Sequence, residues 1–281
     1  MQREFNIGSE WLYYKIYCGV KTADIILLEH LNKKIKFLKE NKIIKKWFFI
    51  RYNDPENHIR LRFLLFKNSN LNEVTKILQQ TFEELQSQNI IWKIQTDTYV
   101  RELERYGVST YEETETIFET DSALMLNYLS LKNQFSNETT ILLFSFLAID
   151  SFLNLFELSN LEKLNLLNSM QLSFKLEFNA DKNLKKELDK HYRELSNEIE
   201  LVLEKDKEEY FQLFEKIDCK SNKLKGSIPI LIENLEVDIF SYLNSQIHMM
   251  INRQYTSRQR EYELIIYDHL HRFYKTQFFK S

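Results

Sequence analysis

The pattern of hydrophobic and polar positions changes its period part-way along the chain. Up to about residue 107, short runs rich in aromatic and β-branched residues alternate with segments spaced for helix. Trp11–Cys18 (WLYYKIYC) and Ile90–Val100 read as strands. Lys45–Tyr52 and His58–Phe66 read as two more, joined by the Asn53–Asn57 turn, whose Asp-Pro supplies turn chemistry. Thr22–Glu40 carries Ile26, Leu27, Leu31, Ile35 and Leu38 at helical spacing, and Leu71–Gln88 is a second amphipathic segment. The order β-α-β-β-α-β predicts a sheet with helices on one face, like a ferredoxin-like split βαβ unit.

Beyond that point the pattern is helical. Tyr111–Gln134, Glu138–Phe156 and Leu161–Phe174 carry apolar residues at three- and four-residue spacing. Asp181–Lys216 reads as one long charged helix with a solvated face of i,i+4 Glu–Lys pairs. Pro229 is expected near the start of a helix that runs through His248 towards Tyr255, and Ser257–Lys275 forms the last helix. The expectation is an α+β fold in a single compact domain over 1–281, with an α/β part at 1–107 and a helical part at 108–281.

Composition agrees with this picture. The chain has 281 residues, only four glycines and two prolines. Such scarcity favours long helices and makes Gly8, Gly19, Gly107, Gly226, Pro55 and Pro229 markers of real boundaries. A hydrophobic fraction of 43% supports a sizeable core. The net charge of -3 gives no footprint for general nucleic-acid binding. Cys18 and Cys219 fit no metal or redox spacing and read as idle thiols in a reducing compartment. The N-terminus lacks the apolar core of a signal peptide, and the run Ile141–Ile149 is too short to span a bilayer. A soluble cytoplasmic protein is expected.

Three clusters could carry chemistry. In His58-Ile59-Arg60-Leu61-Arg62-Phe63, strand alternation sends Ile59, Leu61 and Phe63 to a core and His58, Arg60 and Arg62 to the other face. With Arg51 upstream, this row suits an anionic substrate, because arginine forks bind carboxylates and phosphates; a solvated edge is the plainer alternative. The second cluster is Tyr99–Gly107, where a strand ends. If it is helical, Arg101 and Arg105 share a face, and simple ion pairing to nearby glutamates is the alternative. In the third, Ser245, His248 and Asn252 fall on one helix face, followed by Arg253; Asn252 could orient the His248 ring, and a core histidine is the alternative. His269 and His271 are expected at the solvent. Gly-rich phosphate loops, GxSxG, CxxC pairs and HExxH are absent, and no metal site or cofactor is expected.

Taken in order, EFNIGSEWLYYKIYCG, Ala23-Asp24, WFFIRYNDPENHIRLRF, YVRELERYG, Glu115–Ser122 and IHMMINR resemble the small C-terminal domain of lantibiotic dehydratases, which also occurs alone in thiopeptide-type bacteriocin biosynthesis. The resemblance covers nearly the whole chain. It implies a lyase that eliminates glutamate from glutamylated Ser or Thr of a precursor peptide, leaving dehydroalanine or dehydrobutyrine. It also implies a separate tRNA-Glu-dependent glutamylation protein as partner, and leaves a cyclase partner and a homodimer open. The family's critical residues map to Arg62 (with Arg60 beside it), Arg105 (with Arg101) and His248, with Arg51, His58, Arg60, Arg101, Asn252 and Arg253 expected to bind substrate. Tyr52, Tyr99 and Glu104 are candidates for the base. Two other readings stand beside this one: a pyridine synthase joining two dehydroalanines, and a non-catalytic scaffold that holds the precursor by strand addition.

Overall fold

The computed structural model describes residues 1–135 and 139–280; the expected start of one helix at Glu138 lies outside them. The chain is mixed helix and sheet. Its described residues fall into two compact units, one formed by Met1–Ser130 with Asn234–Val237, the other by Leu131–Glu233 with Asp238 onwards.

The first unit is built on a four-stranded antiparallel sheet of β2 (Trp11–Cys18), β3 (Ile44–Tyr52), β4 (His58–Leu65) and β5 (Ile91–Thr96), in the order β3-β4-β2-β5. The β4 strand is therefore central. Opposed residues in an antiparallel pair share a face. Leu61 pairs with Tyr14 and with Phe49, and this face lies under helices. One of these is α3 (Leu71–Ser87), whose Phe82 ring meets Tyr14 edge-on at 5.4 Å. The other starts as α1 (Ala23–Ile25), passes through a π-helical segment Ile26–Leu31, and ends as α2 (Asn32–Glu40). It buries Ile26, Leu27, Leu31, Ile35 and Leu38, the positions its spacing marks.

Two elements of this unit differ from the sequence expectation. The single strand Ile90–Val100 is two: after β5, Asp97 accepts the Thr98 backbone N–H at 2.8 Å and turns the chain. Tyr99–Val100 then forms β6, which pairs with an unforeseen β1 (Glu4–Phe5) in a separate small sheet. The Tyr99–Gly107 segment is only briefly helical, α4 (Leu103–Tyr106), so Arg101 precedes the helix and shares no helical face with Arg105. Gly107 ends it at φ +83°, where a Cβ would stand 2.5 Å from Thr110 Oγ1. Helix α5 (Tyr111–Leu131) follows.

The second unit is all helical. Its centre is α6 (Thr140–Leu155), buried at every position from Leu142 to Ile149, as a helix that is apolar all round must be. Around it stand α7 (Asn160–Glu177), α8 (Lys182–Leu203), α9 (Phe211–Leu224), α11 (Ile239–Gln254) and α12 (Gln259–Lys280). The expected helix Asp181–Lys216 is broken. Lys205 takes a left-handed conformation at φ +57°, and Asp206 N–H reaches back to the Leu201 carbonyl at 2.9 Å, closing α8. The expected helix from Pro229 through His248 is also two, α10 (Ser227–Asn234) and α11. Asp238 starts α11 by accepting the Ser241 N–H at 2.8 Å. Among the described residues, no helix is long and apolar enough to cross a membrane.

Candidate functional site

The central position of β4 changes the meaning of its cationic row. It is not a solvated edge: His58 is 3% exposed and Arg62 is 7% exposed. Arg62 pairs in register with Tyr13 on one side and Phe48 on the other. Its guanidinium lies 4.3 Å from the Tyr13 ring centroid, 5.0 Å from Tyr99 and 5.2 Å from Phe48. Rings at these distances attract a cation through their faces. Among the described residues Arg62 forms no ion pair, and its buried Nε has no hydrogen-bond partner. The fork is thus held by aromatic walls and keeps its capacity to bind an anion.

Two positions along the strand, Arg60 lies 3.5 Å above the Tyr52 ring, and its Nε donates to His58 Nε2 at 3.1 Å. His58 Nδ1 is 2.8 Å from the Glu56 carbonyl, which can only accept. The ring is therefore neutral with its proton on Nδ1. Burial lowers its pKa, and Arg60 and Lys15 add to that, while the Glu56 bond opposes it. Arg51 does not join this face. It pairs in register with Ile59, points to the helix-covered side, and is bound there to Asp24 at 2.7 Å.

Arg101 is buried and grips Glu115 of α5 with two bonds of 2.7 Å. Burial works against its charge, but the Glu115 bonds outweigh it and hold its pKa above the ordinary arginine value. Glu115 also accepts the Tyr99 hydroxyl at 3.0 Å, so the pair fixes one of the rings around Arg62. The partner is thus a distant glutamate and not Glu102 or Glu104. Tyr99 itself is a poor base: burial, then Tyr111 and Glu115, push its hydroxyl well above the usual range. Glu104 is exposed and tied to Arg3. Arg105 is exposed, near Glu102 at 3.2 Å, and the weak hold of an exposed pair leaves it available.

In the second unit, His248 is one-third exposed on α11. Its Nδ1 lies 2.6 Å from Oε1 of Glu263, a fully buried residue of α12. Glu263 also receives the Tyr267 hydroxyl at 3.0 Å on Oε1 and Arg260 at 3.0 Å on Oε2. Asn252 donates to Gln259 Oε1 at 3.0 Å. Arg253 is buried, with a bond of 2.9 Å to the Met249 carbonyl of its own helix. His269 is not at the solvent. It is buried, 3.3 Å from Asp268 and 2.8 Å from His191.

The structure thus places His58, Arg60 and Arg62 on one sheet face of the first unit, with Arg101 supporting that face and Arg105 at the surface. His248, Asn252 and Arg253 belong to the second unit. Missed from the sequence were Tyr13 and Phe48 as walls and Glu263 as the partner of His248. A signal existed for Glu263: a lone carboxylate among Tyr262, Leu264, Ile265, Ile266 and Tyr267.

A family described as "Lantibiotic biosynthesis dehydratase C-term" matches residues 11–274. The nisin biosynthesis protein NisB of Lactococcus lactis subsp. lactis is 27% identical over 282 residues, covering 98% of this chain and 26% of its own. The chain spans about a quarter of the length of the curated relatives it matches. Among solved structures, the tRNA-dependent lantibiotic dehydratase MibB from Microbispora sp. 107891 shares the fold with a TM-score of 0.75 and 18% identity, over 95% of this chain and 28% of that one. The pyridine synthase TbtD from thiomuracin biosynthesis shares it with a TM-score of 0.59 and 12% identity, over 97% of this chain and 99% of that one.

Proposed function

We propose, on the premise that this chain belongs to the lantibiotic biosynthesis dehydratase C-terminal family, that it acts as an enzyme in the dehydration of a ribosomally made antibiotic precursor peptide. The finer reading is glutamate elimination, a lyase reaction, by the whole chain 1–281 as the small half of a split dehydratase. Its substrate is a precursor peptide whose Ser or Thr carries a glutamyl ester. The glutamate is put there by a separate tRNA-Glu-dependent protein, so the reaction belongs in the cytoplasm with both. A cyclase acting afterwards and a homodimeric state are compatible with this scheme. The strand order β3-β4-β2-β5, with helices on the Leu61 face, agrees with a ferredoxin-like reading of the first unit.

The observation that carries the reading is Arg62. A buried guanidinium with no carboxylate partner among the described residues, enclosed by Tyr13, Phe48 and Tyr99, is prepared for an anion that arrives with the substrate. In the elimination, a base takes the proton on Cα. That electron pair becomes the Cα–Cβ double bond, the Cβ–O bond breaks, and glutamate departs as a carboxylate. Negative charge develops on the peptide carbonyl oxygen and on the leaving group. Arg62 and the exposed Arg105 are assigned to these charges, Arg60 and His58 to the substrate beside them, and His248 to proton transfer. Arg101 acts through Glu115 and Tyr99 by fixing the wall of the Arg62 site. Arg51, bonded to Asp24 on the helix-covered side of the sheet, and Arg253, buried and bonded to the Met249 carbonyl, have supporting roles in this reading.

The test is to replace His248 by Ala and to follow elimination from a pre-glutamylated peptide. The product is expected to disappear while the far-ultraviolet spectrum of the protein is unchanged. Undiminished elimination overturns the assignment. The near-complete mutual coverage with a pyridine synthase favours one second reading, cycloaddition between two dehydroalanines. It predicts a cyclised product from a peptide already dehydrated, and no reaction with the glutamyl ester.

A further inference from the structure

The structure assigns Glu263 as the positioning residue of His248: it fixes the proton on Nδ1 and so leaves Nε2 as the atom that accepts a proton from the substrate. This rests on the reading of His248 as the proton-transfer group in elimination.

Glu263 is fully buried, and every hydrogen bond it receives has a fixed direction. Oε1 lies 2.6 Å from His248 Nδ1 and accepts the Tyr267 hydroxyl at 3.0 Å. Burial and then Glu263 raise the Tyr267 pKa well above its usual value, so that hydroxyl stays protonated and donates. Oε2 takes Arg260 at 3.0 Å, and Arg260 can only donate. The guanidinium is also paired with both oxygens of Glu177 and lies 4.1 Å over the Phe174 ring. A carboxylate so bound presents an acceptor to Nδ1, and Nδ1 must carry the hydrogen. The Gln259 amide nitrogen stands 3.5 Å from Nδ1, too far to displace a bond of 2.6 Å. Gln259 is in turn held by Asn252.

A neutral imidazole with its hydrogen on Nδ1 has its lone pair on Nε2. The proton taken from Cα goes there, while the Cα–H electrons form the double bond and the Cβ–O pair leaves with glutamate. The imidazolium that results is stabilised by the Glu263 carboxylate on its other side, as in triads where a buried acid orients a histidine.

Replacing Glu263 by Gln tests this without emptying the site. Arg260 only donates, whereas the Tyr267 hydroxyl can turn to accept, so the amide oxygen faces Arg260 and the amide nitrogen is turned towards Nδ1. Nδ1 becomes an acceptor, and the hydrogen moves to Nε2. The experiment uses the full chain with selectively 15N-labelled histidine and compares wild type, E263Q and H248A. In the wild type, the His248 signals are expected to show a protonated Nδ1 and a bare Nε2; in E263Q this pattern inverts. The kcat for elimination from a glutamylated peptide is expected to fall by about 10²-fold or more with KM unchanged. E263D, which keeps the acceptor, restores the wild-type tautomer and part of the rate. A wild-type His248 that carries its hydrogen on Nε2, or a tautomer unmoved by E263Q, overturns the assignment whatever the activity. An inverted tautomer with undiminished elimination overturns the positioning role. H248A with full activity overturns the reading beneath it, and the role falls with it.

Discussion

Arg60 donates through Nε to His58 Nε2 across 3.1 Å, and this bond explains how three potentially cationic side chains share one buried sheet face. The histidine contributes no charge there. Its Nδ1 hydrogen is committed to the Glu56 carbonyl and its Nε2 lone pair to Arg60.

A pH dependence follows. Burial chiefly, with Arg60 and Lys15, holds the folded pKa of His58 below the ordinary 6.5. For a depressed pKa the stabilisation is present above the unfolded value and is lost as pH falls through the folded one. Thermal unfolding followed from about pH 7.5 to about pH 5 is therefore expected to show falling stability on the acid side. His58→Gln, which cannot take a proton, is expected to flatten that slope. An equal slope in both proteins contradicts the neutral His58.

Arg62 is expected to be irreplaceable by lysine. Lysine keeps the charge but loses the planar fork and its stacking between rings. Arg62→Lys should lower kcat for elimination by about 10²-fold, the usual cost of one lost donor to a developing oxyanion. Circular dichroism should be unchanged. Wild-type turnover in this variant removes Arg62 from the chemistry.

The Arg101–Glu115 pair is a matter of stability. Glu115→Gln leaves Arg101 buried with no opposing charge, and breaking such a pair costs about 3–5 kcal/mol. Urea unfolding followed through near-ultraviolet tyrosine signals should show the first unit melting earlier. Replacing both partners by apolar residues should cost less than the single change. A single variant as stable as wild type contradicts the placement of the pair.

The two cysteines should differ in reactivity. Cys18 is buried, and burial pushes its thiol up to about 11 against the lowering effect of Arg51. Cys219 is exposed. Under native conditions a thiol reagent is expected to label one cysteine, Cys219, with Cys18 reacting only after denaturation. Fast native labelling of both contradicts the burial of β2.

Much of the architecture was legible in the alternation itself. Trp11–Cys18 begins and ends where its pattern does, and His58–Phe63 sends Ile59, Leu61 and Phe63 inward as its period requires. The burial of its other face was not legible, because centrality depends on partners far away in the chain: Tyr13, Phe48 and Tyr99 cover Arg62 only once the sheet is assembled. The same holds for Arg51. Only the β3–β4 register, which sets it opposite Ile59, shows that it takes the other face. The break after Leu203 was hidden because a lysine, not a glycine, occupies the left-handed position. His248 was visible, and Glu263 stood out as a carboxylate in an apolar run, but their pairing was not legible. Glu263 lies fifteen positions on, in another helix, and nothing local announces the contact.

Glutamate elimination is tested by incubating this protein alone with a precursor peptide whose serine carries a glutamyl ester, and following both products by mass spectrometry. Free glutamate is expected together with a peptide containing dehydroalanine at that serine, and both are expected to be lost in the His248→Ala variant. An intact glutamyl peptide after incubation, or a cyclised product formed only from pre-dehydrated peptide, would contradict it.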